Sequence, residues 1–214
     1  MMNEKEISYQ TTNTYTTVNT LTSKTKNVWF ACHGIGFLSR YFSLYFETLN
    51  PEENYIIAPQ AASKYYLKNE YKHVGASWLT KENTQKEIEN VMANLNAIYK
   101  AEQIPSTVNF YVLGFSQGVS VALRWVARYK IPCTKLIIYA GSIPNELTAT
   151  DFEFINYDTT KVINIVGDKD EYLTEKRMQQ EIEKMQLLFG DNYFFNTFEG
   201  THQMSMEVLS SLAD

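Results

Sequence analysis

Cysteine, histidine and proline are scarce in this 214-residue chain. The two cysteines, Cys32 and Cys133, provide no disulfide framework. Each lies in or beside an apolar segment, which predicts buried free thiols. Three scattered histidines and two cysteines do not make a zinc site, so neither a metal nor an organic cofactor is expected. No apolar run approaches the roughly 20 residues of a membrane span, which argues against stable membrane insertion. The start, MMNEKEISYQ, is polar and lacks a secretory pattern, so a reducing, cytoplasmic setting is expected. No Lys/Arg run stands out against the net charge of −5, which argues against nucleic acid as a partner.

The hydrophobic share of 44% and charged share of 20% are those of a folded chain rather than a disordered one. The length fits a single domain, residues 1–214. Residues 5–20, rich in Thr and Tyr, read as a β-hairpin with its turn near Thr12 and Asn13. Short apolar runs then recur between turn signals: VWFACHG, YIIAP, NFYVLG, KLIIYAG, VINIVG and NYFFNTF. Such runs suit strands buried on both faces. Helical spacing separates them. Ile88, Val91, Met92, Leu95, Ile98 and Tyr99 mark one face over about 81–100, with Thr84 and Glu87 as a capping-box pattern. Further helices are expected over 117–129, 174–189 and 203–213. The alternation predicts an α/β fold: a mostly parallel central sheet with helices on both faces. Only about 20 residues separate the fourth and fifth parallel strands, too few for a lid domain.

One five-residue run carries chemistry. GFSQG at 114–118 follows an apolar strand and opens a helix, the context of the G-x-S-x-G nucleophile elbow. A sharp strand-to-helix turn exposes Ser116, and Gly114 and Gly118 keep that turn free of side-chain clashes. A serine at neutral pH needs a base. His202 lies after the last strand, where the α/β-hydrolase order Ser, acid, His places it. The acid belongs on the loop after VINIVG, where GDKDEY offers Asp168, Asp170 and Glu171; spacing alone does not choose. An oxyanion would be held by the backbone N–H of Gln117, after the nucleophile, and by a second N–H from HGIGF, that of Ile35.

Taken in order, HGIGF, APQA, GASWLTKE, GFSQG, GDKDE and THQM resemble the phospholipase/carboxylesterase family of α/β-hydrolases, which includes acyl-protein thioesterases and small bacterial esterases. The resemblance runs over roughly residues 27–213 and implies an α/β-hydrolase fold. The family pattern G-D-x-D implies Asp170 as the triad acid, with Asp168 as the alternative, and it also implies oxyanion donors at Ile35 and Gln117. Two positions depart from the pattern. Phe37 stands where many members carry an acid, and Glu171 where many carry Pro.

The stretch 59–79 is long for a connection and is expected to cross the C-terminal edge of the sheet. It brings Tyr65, Tyr66, Leu67, Tyr71 and Trp78 as candidate pocket walls. Phe37, Leu38 and Tyr41 are expected on the other side, with Ser142, Ile143 and Pro144 beyond the fourth parallel strand. The expected reaction is hydrolysis of a small-molecule ester or thioester through an acyl-enzyme. A non-catalytic binding module is the competing class, and a homodimer is compatible with the sequence.

Overall fold

The computed structural model describes residues 1–172 and 174–213. Its centre is a seven-stranded sheet in the order β1-β3-β2-β6-β7-β8-β9. These strands are β1 (Tyr15–Val18), β2 (Asn27–Cys32), β3 (Asn54–Pro59), β6 (Asn109–Phe115), β7 (Lys135–Tyr139), β8 (Lys161–Gly167) and β9 (Tyr193–Phe198). All pair in parallel except β1, which runs antiparallel to β3 with Tyr15 opposite Pro59 and Val18 opposite Ile56. The six apolar runs seen in the sequence are these six parallel strands. Along β2, Val28, Phe30 and Cys32 enter one core, while Trp29 and Ala31 enter the other. In β2, β3, β6, β7 and β8, burial on both faces removes the polar half of the period-two alternation, which is why those runs read as continuous. Strand β9, at the sheet edge, has only half-buried and exposed residues, against the expectation of burial on both faces.

The helices are α1 (Ser39–Phe42), α2 (Thr84–Glu102), α3 (Gln117–Tyr129), α4 (Glu175–Phe189) and α5 (Met206–Ala213). Residues of α2, α3 and α4 fill one core, with Trp125 stacked 4.3 Å from Phe30. Phe42, Phe46, Leu209 and Leu212 from α1, the turn after it and α5 fill the other. The connection from β7 to β8 carries one 3-10 turn, Ala149–Phe152, and no lid. Among the described residues, no helix is long and apolar enough to cross a membrane.

Three local expectations are revised. The antiparallel N-terminal element is β1 alone. Residues 5–14 form no strand, because the pairing edge that β1 meets is β3 rather than an adjacent segment. The Thr84 and Glu87 capping box does not form. Asn83 precedes the helix in a left-handed conformation (φ 48°), and the Thr84 hydroxyl donates instead to the Thr80 carbonyl at 2.7 Å. A capping box does form at the 3-10 turn, between Thr148 and Asp151. Finally, the long stretch after β3 contains a two-stranded hairpin, β4 (Ser63–Tyr66) with β5 (Val74–Ser77). Residues of β4 are exposed and two of its four are polar, so no apolar run announced it.

Candidate active site

The C-terminal ends of β2, β6, β8 and β9 bring four loops to one edge of the sheet, the usual location of sites in open α/β sheets. Ser116 sits between β6 and α3 with φ 52° and ψ −119°, a conformation costing a non-glycine residue about 1–3 kcal/mol. The surroundings hold it there. Its N–H donates to the Tyr139 carbonyl at 2.9 Å, and its own carbonyl accepts from Val119 at 3.1 Å. The turn is as tight as its glycines imply. A Cβ on Gly118 would lie 2.1 Å from the Cys32 oxygen, and one on Gly114 would lie 2.5 Å from Val119 Cα.

Ser116 Oγ is 2.9 Å from His202 Nε2, and His202 Nδ1 is 2.7 Å from Asp170 Oδ2. A carboxylate can only accept, so Nδ1 carries the imidazole proton and Nε2 is left to accept from the serine hydroxyl. The Asp170 side chain is fully buried, and its other oxygen accepts from the Tyr172 N–H at 2.9 Å. The His202 ring packs against Phe115 and Tyr172, at centroid distances of 5.3 and 4.8 Å. Asp168 points elsewhere: its Oδ1 accepts from the Gly200 N–H at 2.9 Å and ties the loops after β8 and β9 together. The choice that spacing left open therefore has a geometric answer, with Asp170 on the histidine and Asp168 on the backbone.

The loop after β2 is held from both sides. Gly36 takes φ +85°, and its N–H donates to the Ala76 carbonyl of β5 at 2.8 Å. The Gln117 side chain fastens the end of the same hairpin: its carbonyl oxygen accepts from Trp78 N–H at 2.8 Å, and its amide donates to the Leu79 carbonyl at 2.7 Å. Among the described residues, neither the Ile35 nor the Gln117 backbone N–H has an acceptor. Both residues line the cavity at Ser116.

His33, just before this loop, is buried beside Trp78, whose ring lies 4.8 Å away. It donates from Nδ1 to the Gly34 carbonyl at 2.7 Å and accepts at Nε2 from the Ala61 N–H at 3.2 Å, which requires the neutral ring. Burial lowers its pKa to about 4, against the smaller opposing effect of the Gly34 carbonyl. The unfolded chain takes up a proton as pH falls through about 6.5, whereas the folded chain does so only near 4. The stability that this group contributes is thus complete above 6.5 and lost between 6.5 and 4, on the order of 3 kcal/mol. In urea titrations across that window, His33→Asn is expected to flatten the pH dependence relative to the wild type. An unchanged slope contradicts the assignment.

The cavity at Ser116 measures about 530 Å³. Its apolar lining is Ile35, Phe37, Tyr45, Phe115 and Met204, and Ser142, Tyr172 and Arg177 line it as well. Phe37 therefore lies where the sequence suggested. So does Ser142, but the other suggested wall residues do not line this cavity, Tyr41, Tyr66, Leu67, Tyr71 and Pro144 among them. Leu38 is buried in the core. Trp78 is also buried, its indole N–H donating to the His33 carbonyl at 2.7 Å. Tyr65 belongs to the hairpin, which covers the outside of the Gly36 loop. Ile143 borders an adjoining cleft. Phe115, Tyr172 and Met204 were not anticipated, although each lies within two residues of Ser116, Asp170 or His202. Tyr45 and Arg177 carry no such signal in sequence.

Among the described residues, no grouping of three or more His, Cys, Asp or Glu is placed to hold a metal ion. Both cysteines are buried free thiols. Burial pushes the Cys32 thiol up and that of Cys133 up to about 12, so neither is a ready nucleophile.

A strained serine at a strand–helix elbow, at the C-terminal edge of a mostly parallel sheet, defines a protein of the α/β-hydrolase class. Residues 13–214 match the phospholipase/carboxylesterase family, and the chain belongs to it. No curated protein matches it. Among solved structures, acyl-protein thioesterase 2 of Zea mays aligns with 94% of this chain and 96% of its own, at 16% identity and TM-score 0.69. The phospholipase/carboxylesterase of Dyadobacter fermentans aligns over 96% and 98%, at 19% identity and TM-score 0.64. Esterase PE8 aligns over 95% and 97%, at 16% identity and TM-score 0.65. At these identities the likeness is one of fold. The family membership itself is that of a hydrolase.

Proposed function

We propose that this protein hydrolyses carboxylic esters by acyl transfer through Ser116. The reading rests on the chain of contacts from Ser116 Oγ to His202 Nε2 at 2.9 Å and from His202 Nδ1 to Asp170 at 2.7 Å. His202 takes the hydroxyl proton as Ser116 attacks the ester carbonyl, and Asp170 keeps the ring in the required tautomer and stabilises the imidazolium. The N–H groups of Ile35 and Gln117 receive the oxyanion, each worth about 3–4 kcal/mol in the transition state. The imidazolium then protonates the leaving alcohol. Water, activated by the same base, releases the acid and restores Ser116.

The same steps serve a thioester. The fold similarity to the Zea mays acyl-protein thioesterase favours including one among the substrates. An S-acyl analogue in the ester assay compares the two directly.

A fluorophosphonate probe is expected to label the wild type at Ser116, as mapped by peptide mass, and to leave Ser116→Ala unlabelled. An unlabelled wild type would sink the hydrolase reading. The apolar wall at Phe37, Tyr45 and Met204 sets a second expectation for p-nitrophenyl esters. Each added methylene is expected to raise kcat/KM by up to about fourfold until the cavity is filled. A profile indifferent to chain length contradicts an apolar acyl site there.

A further inference from the structure

The cavity at Ser116 contains one fixed charge among its described lining residues, and it is positive. This is Arg177, on the first turn of α4, in a chain whose net charge is −5. Its guanidinium donates to Ser142 Oγ at 2.6 Å, which turns it toward the edge of the cavity. Ser142 follows Ala140 and Gly141, and all three line the same cavity. Among the described residues, no carboxylate lies within ion-pair distance of Arg177. The acids of the adjoining cleft are engaged elsewhere. Glu146 pairs with Arg124 at 2.6 Å, and Glu183 accepts from Gln179 at 3.1 Å. Glu181 is buried, accepting from the Ile143 N–H at 2.9 Å with Lys184 at 3.8 Å, and so braces the backbone segment that carries Ser142.

An unneutralised guanidinium with most of its donors free, at the edge of a mostly apolar cavity beside a nucleophile, is a receptor for a planar anion. We infer that Arg177, with Ser142 beside it, selects ester substrates that carry a carboxylate or similar anionic group on the part of the molecule reaching the α4 side of the cavity. The inference rests on the proposed ester hydrolysis and names the substrate class of that same site. Arg177 acts as a specificity determinant, while Ile35, Phe37 and Met204 receive the apolar part.

Two matched pairs test it, with non-enzymatic hydrolysis subtracted. Mono-p-nitrophenyl adipate against p-nitrophenyl hexanoate puts the anion on the acyl side. Para-acetoxybenzoate against para-acetoxybenzamide puts it on the leaving side. In at least one pair, the ratio of kcat/KM for the anionic over the neutral ester is expected to fall about 10–100-fold in Arg177→Gln, the range for a lost hydrogen bond to a charged group. It is expected to fall further in Arg177→Glu. Lys176→Gln, a neighbouring cation that does not line the Ser116 cavity, is expected to keep the wild-type ratio. Ratios equal in wild type and Arg177→Gln for both pairs overturn the inference while leaving ester hydrolysis intact. Turnover of no member of either pair by the wild type overturns the ester reading itself, and the inference with it.

Discussion

Ser116→Ala is expected to lower kcat for a p-nitrophenyl ester by about 10⁶-fold without unfolding the protein. The proposed acyl-enzyme cannot form without Oγ, and alanine differs from serine by that oxygen alone. The variant also keeps the strained turn, since the Ser116 N–H bond to Tyr139 and the carbonyl bond from Val119 are main-chain contacts. Residual turnover is expected to remain about 10³–10⁴ above water, because the Ile35 and Gln117 amides and the cavity persist. Ser116→Ala/His202→Ala is expected to be no slower than Ser116→Ala, since the two side chains act as one unit. Single-turnover kinetics with an enzyme preparation free of wild-type contamination measures both. Additive losses in the double variant would mean that serine and histidine act in separate steps.

The second large effect separates two aspartates two residues apart. Asp170→Asn is expected to lower kcat by about 10⁴-fold, and Asp168→Asn by no more than a few-fold. The hydrogen bonds give the reason. Asp170 Oδ1 accepts from the Tyr172 N–H, which keeps the carbonyl oxygen of an introduced amide on that side. The amide nitrogen is then turned toward His202 Nδ1, which must accept rather than donate. The ring proton moves to Nε2, where it faces Ser116 Oγ and blocks proton abstraction. Asp168 accepts a bond from the Gly200 N–H that an asparagine oxygen also accepts. Asp168→Ala removes that exposed acceptor and is expected to cost about 0.5–1.5 kcal/mol in urea unfolding, with kcat largely kept. Equal loss of kcat in the two asparagine variants would contradict the division of roles.

Much of the fold was legible because burial on two faces writes itself into a linear sequence. NVWFAC and KVINIVG leave no polar alternation, and the helix over Thr84–Glu102 repeats its apolar face. The elbow was legible for a related reason. Gly118 has the Cys32 oxygen 2.1 Å from where a Cβ would lie, so the chemistry of Ser116 comes with glycines at set offsets. The β4–β5 hairpin left no such mark. Its strands are short and β4 is exposed, and its role is to hold a loop through the Gly36 bond to Ala76. Trp78 looked like a pocket wall because it is aromatic and near the site. It is instead a buried partner of His33.

The local pattern at Ser116 and the alternation of strands with helices along the chain were properties of the sequence by itself. They depend on neighbours along the chain, where steric and hydrophobic demands act at fixed spacing. Three matters needed three dimensions: the contact of Asp170 rather than Asp168 with His202, which spacing left open and the family resemblance alone favoured, the distance of Leu38, Tyr65, Trp78 and Ile143 from the cavity, and the presence of Arg177 in it. Each depends on side chains brought together from strands and helices tens of residues apart. A hydrogen bond of 2.7 Å distinguishes two aspartates that sequence spacing treats alike.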